Sequence, residues 1–374
     1  MEVLILMKDR RTLIYLILIS MFLISMLALL ASAESSAKTG AKSFALYNPE
    51  LNLFLCEKNM NMRLPRASTT KILTALIAIE ELDLDEKITV QKEAVGIEGS
   101  SVYLAEGDVL TARDLIYSVL LQSANDASVV LALRIGNTIE GFADIMNKRA
   151  SDIGATNTKF KNPHGLDSDD HYTTAKDLAL IASAALNNDT FRKITSTHKY
   201  SFTIGEKTRA LVNHNKLLTQ YDGCIGVKTG YTKRCGRCLV SAAYREGVTM
   251  IAVTLSDPDD WRDHKELLDL GFSTLESIDL IKETGLSSSL PVLYGRKSAV
   301  KIGIKDSEKY YVIKSDEKRP EITMNIIPYV TNSVKAGDVL GEITIKDENN
   351  TKRIDIIALE DVKSKTNNFP ILAK

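Results

Sequence analysis

The hydrophobic period changes twice along residues 43–276, and that order limits the folds open to the chain more than any other feature. From Ser43 the stretch SFALYNPELNLFLCEKN alternates apolar and polar residues across an Asn48-Pro49-Glu50 break, which reads as a hairpin. Residues 68–82 (STTKILTALIAIEEL) then carry apolar side chains at 72, 73, 76, 77 and 79 behind a Ser/Thr start, which is helical spacing with an N-cap. The same period predicts helices over 111–121, 125–136, 140–152 and 174–187. After Ile225 the run IGVKTGYTKRCGRCLVSAAYREGVTMIAVTLS reverts to three short β-rich segments separated by Gly-containing turns, and a helix follows over 260–276. Strands, helices, strands and a closing helix predict an α/β (α+β) domain over 38–276. Its one sheet takes its first and last strands from opposite ends of the domain and packs against helices.

Both flanks differ from this middle. Residues Thr12 to Ala31 are uncharged, follow Lys8, Arg10 and Arg11, and lead into Ala31-Ser32-Ala33, the order of a secretory signal. The apolar run is also long enough to span a bilayer, so residues 1–33 read as a signal peptide or an uncleaved N-terminal anchor, with membrane association through the latter. Beyond Thr284, four of the eight prolines fall among short β-branched runs (AVKIGI, KYYVI, ITMNII, VLGEITI, RIDIIAL), which predicts a small all-β domain over 284–374. A chain of 374 residues has room for such a division, at roughly 150 residues per domain.

Composition removes several classes. A formal charge of −1 with no basic tract argues against a nucleic-acid partner. His164, His171, His198, His214 and His264 show no metal-ligand spacing, and Asp167-Ser168-Asp169-Asp170 lacks the Gly and Glu that a calcium loop requires. No phosphate-cradling Gly-rich loop follows a strand, so no metal or cofactor is expected. Four cysteines are too few for a disulfide scaffold. Cys235-Gly-Arg-Cys238 has redox spacing but follows a Gly-Tyr-Thr-Lys turn instead of opening a helix, which leaves structural thiols, free thiols or one disulfide.

Chemistry concentrates in an ordered triple. Ser68-Thr69-Thr70-Lys71 is an S-x-x-K tetrad, whose spacing places hydroxyl and amine on one helix face, where a neutral amine can accept the hydroxyl proton. Burial and neighbouring cations keep such an amine neutral, and a helix N-terminus favours the developing alkoxide. Ser123-Ala124-Asn125 follows 55 positions later in a loop between predicted helices, and Lys228-Thr229-Gly230 lies another 105 positions on, in a predicted strand. Gly230 clears space beside that strand, along which an extended substrate can be gripped by main-chain hydrogen bonds.

With these motifs the chain resembles the penicillin-recognising serine acyl enzymes, and among them the serine-type D-alanyl-D-alanine carboxypeptidases of the low-molecular-mass penicillin-binding proteins. RASTTKILTAL, LLQSANDAS, NPHGLDSDDHYTTAKDLALIA, DGCIGVKTGYTKRCGRCLVSAA and AGDVLGEITI carry the resemblance. It implies that Ser68 is the acylated nucleophile, Lys71 its proton acceptor and Ser123 the relay to the leaving amine. It further implies that Asn125 binds substrate backbone, Lys228 supplies positive charge and Thr229 holds the terminal carboxylate. The N–H groups of Ser68 and Tyr231 would form the oxyanion hole. The implied partners are peptidoglycan stem peptides, with β-lactams as covalent inhibitors, on the extracytoplasmic side of the membrane or in the wall.

The chain also departs from its relatives. Position 124 is Ala, and NTKFKNPHGLD offers no Glu to activate a deacylating water as in class A β-lactamases, so penicillin hydrolysis is expected to be slow. The run NNFPILAK does not read as the amphipathic membrane helix that the family carries near its C-terminus, so attachment by that route is not expected. His214 stands near one position where relatives use a carboxylate-binding arginine, and Arg262 is the candidate for another. The rival readings are a β-lactamase, a DD-endopeptidase and a non-catalytic wall-binding protein.

Overall fold

The computed structural model describes residues 37–305, 309–316, 318–347 and 351–365. The predicted leader, residues 1–33, lies outside them. The described chain forms two compact units, residues 37–244 with 249–270, and residues 245–248 with 271–365. The division falls at 270/271, ahead of the boundary expected from the sequence.

In the first unit, β1 (Ser43–Asn48) and β2 (Leu53–Lys58) form the opening hairpin. A 3₁₀ turn, Ala67–Thr70, leads into α1 (Lys71–Glu81). The short strands β3 (Lys87–Thr89) and β4 (Val109–Thr111) pair before α2 (Ala112–Leu121), α3 (Asn125–Gly136) and α4 (Ile139–Asp152). Then come α5 (Ala175–Leu186), α6 (Asp189–Thr195), the hairpin of β5 (Lys199–Ile204) and β6 (Lys207–Val212), and a single turn, α7 (Leu217–Gln220). β7 (Cys224–Thr232), β8 (Gly236–Arg245) and β9 (Val248–Leu255) precede α8 (Asp260–Thr274).

The sheet runs β2-β1-β9-β8-β7, so the first and last parts of the unit meet as expected, with Ser43 opposite Leu255 and Tyr47 opposite Ile251. Central β9 is buried along its whole length, which is why its sequence is a nearly unbroken apolar run instead of an alternation. Ile72, Leu76 and Ile77 of α1 pack in one core with Val129 and Val130 of α3, Leu178 and Ile181 of α5, and Val253 of β9. Threonines set the helix starts. Thr111 caps α2 in a reciprocal box with Asp114, and Thr174 accepts the Asp177 amide at 3.0 Å to cap α5.

In the second unit β10 (Leu275–Asp279) pairs with β13 (Lys309–Ile313), and α9 (Leu280–Thr284) links β10 onward. The predicted helix over 260–276 therefore ends at Thr274, because Leu275 to Asp279 find strand partners. A five-stranded sheet has the order β11-β12-β16-β15-β14, from β11 (Ser289–Pro291), β12 (Ala299–Ile304), β14 (Glu321–Ile326), β15 (Val339–Lys346) and β16 (Thr351–Ala358). Val300, Ile343, Ile345 and Ile356 are buried at its centre. Among the described residues no helix is long and apolar enough to cross a membrane.

Candidate active site

Three stretches far apart in the chain meet at Ser68. The first is the 3₁₀ turn. Neither it nor α1 has a side-chain cap, so the predicted N-cap role of the Ser/Thr start does not hold. Thr69 and Thr70 instead donate back to the carbonyls of Arg66 (2.8 Å) and Ala67 (2.9 Å), which stiffens the turn. With three residues per turn, positions i and i+3 eclipse, and Lys71 Nζ lies 3.0 Å from Ser68 Oγ. Beneath the turn, fully buried Arg66 donates to Thr70 Oγ1 and to the Tyr172 and Lys159 carbonyls, and stacks 3.8 Å from the Phe160 ring centroid.

Lys71 is buried completely. Its Nζ also donates to Asn125 Oδ1 at 2.6 Å and to the His164 carbonyl at 2.5 Å. Both partners can only accept, whereas the Ser68 hydroxyl can also donate. A neutral amine, with two protons and one lone pair, satisfies both carbonyls and turns its lone pair to Ser68. Burial, reinforced by the Lys228 cation and opposed by Asp126, holds the Lys71 pKa well below its ordinary value.

Ser123 and Asn125 form the second stretch, at the start of α3. The Asn125 amide donates to the Ser100 carbonyl at 2.7 Å and its Nδ2 to the Glu98 carbonyl, which aims Oδ1 at Lys71. Gly99 makes room for this side chain, since a Cβ there would lie 2.9 Å from Asn125 Nδ2. Ser123 has φ +61, a left-handed conformation uncommon for a residue other than glycine, and it brings the hydroxyl into the cleft. Buried Asp126 accepts from the Val102 and Leu104 amides at 3.2 and 3.1 Å and so ties down the loop that carries Ser100.

The third stretch is β7, an outer strand of the sheet, whose free edge can pair with an extended peptide. Lys228 is buried, donates to the Thr229 carbonyl at 3.1 Å, and is pulled down to about 7 by burial. A Cβ on Gly230 would lie 3.1 Å from both the Arg66 carbonyl and the Ser68 amide nitrogen, so the strand passes directly beside the nucleophile. Thr229, Gly230 and Tyr231 line a cleft of about 320 Å³ with Ser68, Ser123 and His214. Burial and Lys228 lower the His214 pKa.

The structure thus brings together Ser68, Lys71, Ser123, Asn125, Lys228, Thr229, Gly230 and Tyr231, but not Arg262. That guanidinium sits on α8, held by Asp259 and Asp263 at 2.8 Å each and by Glu266 at 3.6 Å, and it does not line the cleft. Acidic residues at i−3, i+1 and i+4 capture it. Arg237 of β8 lines the cleft instead, opposite Tyr231 in the register. Its guanidinium donates to Asp260 Oδ1 at 3.0 and 2.6 Å and lies 5.7 Å from the Trp261 ring centroid. Arg237, Asp260, Trp261 and Ser100 carry no motif; only the hairpin register, counted back from Lys-Thr-Gly through the turn, points to the first of them.

Comparison with known proteins points to one family. The D-alanyl-D-alanine carboxypeptidase family model matches residues 30–259, and that of the C-terminal domain of penicillin-binding protein 5 matches residues 276–364. The chain is 31% identical over 336 residues to the D-alanyl-D-alanine carboxypeptidase DacF of Bacillus subtilis, covering 86% of each. Among solved structures, the Streptomyces K15 DD-transpeptidase superposes with a TM-score of 0.61 at 32% identity, over 64% of this chain and 99% of that one. Penicillin binding protein 5 from Haemophilus influenzae superposes with a TM-score of 0.63 at 25% identity, over 87% and 98%. A family match over most of the chain and a relative aligned over nearly its whole length leave one assignment: the chain belongs to the D-alanyl-D-alanine carboxypeptidase family.

Proposed function

We infer that this chain is a serine-type D-alanyl-D-alanine carboxypeptidase that removes the terminal D-Ala from peptidoglycan stem pentapeptides through an acyl-enzyme on Ser68. The observation that carries this reading is the fully buried Lys71 amine, 3.0 Å from the Ser68 hydroxyl and with two carbonyl acceptors for its own protons. Ser68 Oγ gives its proton to Lys71 Nζ and attacks the carbonyl of the penultimate D-Ala. The oxyanion takes hydrogen bonds from the amides of Ser68 and Tyr231, which the close approach of Gly230 sets side by side. Collapse of the tetrahedral intermediate expels the D-Ala amine, which receives its proton through Ser123, and water then releases the acyl group.

Asn125 both orients Lys71 and meets the substrate backbone. The terminal carboxylate binds Thr229 in the field of Lys228. Arg237 takes the place expected for Arg262 there, because Asp260 and Trp261 already fix its guanidinium in the cleft. β-Lactams acylate Ser68 because their strained amide occupies the same position. Every residue named here belongs to the first unit, so the β-rich second unit adds nothing to bond cleavage. Family members act on peptidoglycan outside the cytoplasm, and residues 1–33 serve export or anchoring on that side of the membrane.

The deciding experiment measures D-Ala release from a stem pentapeptide, with intact-mass detection of a penicillin adduct. Wild type should release D-Ala and gain one adduct, and Ser68→Ala should do neither. An adduct that survives Ser68→Ala sinks the reading.

A further inference from the structure

The catalytic sequence leaves two thiols unused, and they flank Arg237. Cys235 and Cys238 are both buried at the β7–β8 turn, and each thiol shifts the pKa of the other. Cys235 Sγ also reaches Thr232 Oγ1 at 3.2 Å and the Gly236 carbonyl at 3.1 Å. Cys238 stands opposite Gly230 in the register, with its sulfur 4.0 Å from the Pro65 carbonyl, three residues before Ser68. The only residues between the thiols are Gly236, at φ +70, and Arg237. Cys235 through Cys238 is therefore a short link with a sulfur at each end and the cleft arginine inside it.

We propose that Cys235 and Cys238 are a peroxide-sensitive thiol pair whose closure to a disulfide weakens the hold of Arg237 on the substrate carboxylate. This rests on the role assigned to Arg237 above. The two thiols are not equivalent. The interaction between the two thiols, aided by Thr232, lowers the Cys235 pKa to about 7 and raises that of Cys238, so Cys235 is the attacking sulfur and Cys238 the resolving one. The Cys235 thiolate attacks one oxygen of hydrogen peroxide, breaks the O–O bond and expels hydroxide, which leaves a sulfenic acid. Cys238 sulfur then attacks Cys235 sulfur, breaking its S–O bond; the departing hydroxyl leaves as water with the Cys238 proton. The two thiols lose two electrons, peroxide gains two, and two waters form. A small oxidant suits sulfurs this enclosed.

Bond formation draws the sulfurs to about 2.05 Å, closer than any thiol hydrogen bond. Cys235 must then give up Thr232 and Gly236, and the Gly236–Arg237 link moves with it. Arg237 is held by Asp260 on its side chain and by the Asp257 amide, which donates to its carbonyl at 2.9 Å. Movement of the link loosens a guanidinium whose value to the substrate lies in being fixed in advance.

The test exposes the full-length protein to hydrogen peroxide and reads two things. Peptide mass spectrometry asks whether the segment with Cys235 and Cys238 loses two hydrogens; Cys56 and Cys224 are internal controls. Kinetics on a stem pentapeptide should show KM raised by about five- to tenfold with kcat nearly kept, the size of one weakened charge-assisted hydrogen bond. Dithiothreitol should restore KM; Cys235→Ser should ignore peroxide, and Cys238→Ala should gain oxygen at Cys235 without losing two hydrogens. The proposal is overturned if the segment stays reduced, if the disulfide forms with KM unchanged, or if Cys235→Ser shows the same rise. Penicillin labelling of the reduced protein keeps the two readings apart. A Ser68 that takes no label removes the acyl-enzyme reading and the KM arm with it, while the mass measurement still decides whether the thiols close.

Discussion

The Lys228 cation lowers the pKa of the Lys71 amine, although the two buried lysines lie on elements from opposite ends of the first unit. The influence runs one way: burial alone pulls Lys228 down, whereas Lys71 answers both to burial and to the Lys228 cation. In the proposed reaction Lys71 has to be neutral to take the Ser68 proton, and Lys228 has to be charged to attract a carboxylate.

The pH dependence of D-Ala release follows from this pair. As pH rises, Lys71 loses its proton and the rate climbs, and as pH passes about 7, Lys228 loses its charge and the rate falls. kcat/KM should therefore be bell-shaped. Lys228→Ala removes the cation that holds the Lys71 pKa down, so the rising limb should move to higher pH. A rising limb that stays in place would show that burial alone neutralises Lys71.

Gly230→Ala tests the spacing between β7 and the nucleophile. The new methyl would meet the Arg66 carbonyl and the Ser68 amide nitrogen at 3.1 Å, and both belong to a turn stiffened by its threonines. The turn has to shift by a few tenths of an ångström. Penicillin acylation should slow by about ten- to a hundredfold with thermal stability nearly unchanged, because catalysis is far more sensitive to small misplacements than folding is. Acylation at the wild-type rate would mean that the turn yields freely.

What could be read from the sequence, and what could not, divides along physical lines. The order of the main strands and helices was legible because periods of 2 and 3.6 persist over long segments, and β9, which meets β1, because a β-rich apolar run stands between turns. Ser68, Lys71, Asn125 and Lys228 could be picked out as candidates because each sits in a motif of short spacing, and the structure brings these motifs together. The β5–β6 hairpin was not, since its anchors are distant in the chain: Tyr200 stacks on Tyr117 at 3.7 Å, across 83 residues, and donates to Asp114 at 2.7 Å, while Phe202 and Leu211 enter the core. Arg262 was mistaken for a cleft residue for a related reason. Nothing local distinguishes an arginine held by Asp259 and Asp263 from one free to meet a substrate, and Arg237 reaches the cleft only through the β7–β8 register.

Two arginine substitutions separate these assignments. Arg237→Ala removes the guanidinium from the cleft and leaves Asp260 buried without its partner. KM for a pentapeptide with a free terminal carboxylate should rise by about tenfold or more, and less for the same peptide amidated at its C-terminus. Arg262→Ala removes only a partly exposed guanidinium and should leave both KM values within about twofold, since such pairs contribute little. A larger KM effect from Arg262→Ala would return that residue to the site.

The lifetime of the penicilloyl-enzyme is the last expectation. Hydrolysis of an ester on Ser68 needs a water and a base for it, and among the described residues no glutamate lines the cleft. Its one carboxylate among the described residues, Asp260, is committed through Oδ1 to two hydrogen bonds from Arg237. With a peptide substrate the D-Ala amine leaves, which opens space beside the acyl carbon and lets Lys71, neutral again after the proton has passed on, activate water. With a β-lactam the amine stays tethered to the acyl group and keeps occupying that space. Nitrocefin turnover should therefore lag D-Ala release by about 10²-fold or more, the contribution of one general base. Intact-mass analysis should find the adduct long after free penicillin is removed. Nitrocefin hydrolysis as fast as D-Ala release would mean that water reaches the penicilloyl-enzyme with a base at hand, and would favour a β-lactamase over a carboxypeptidase.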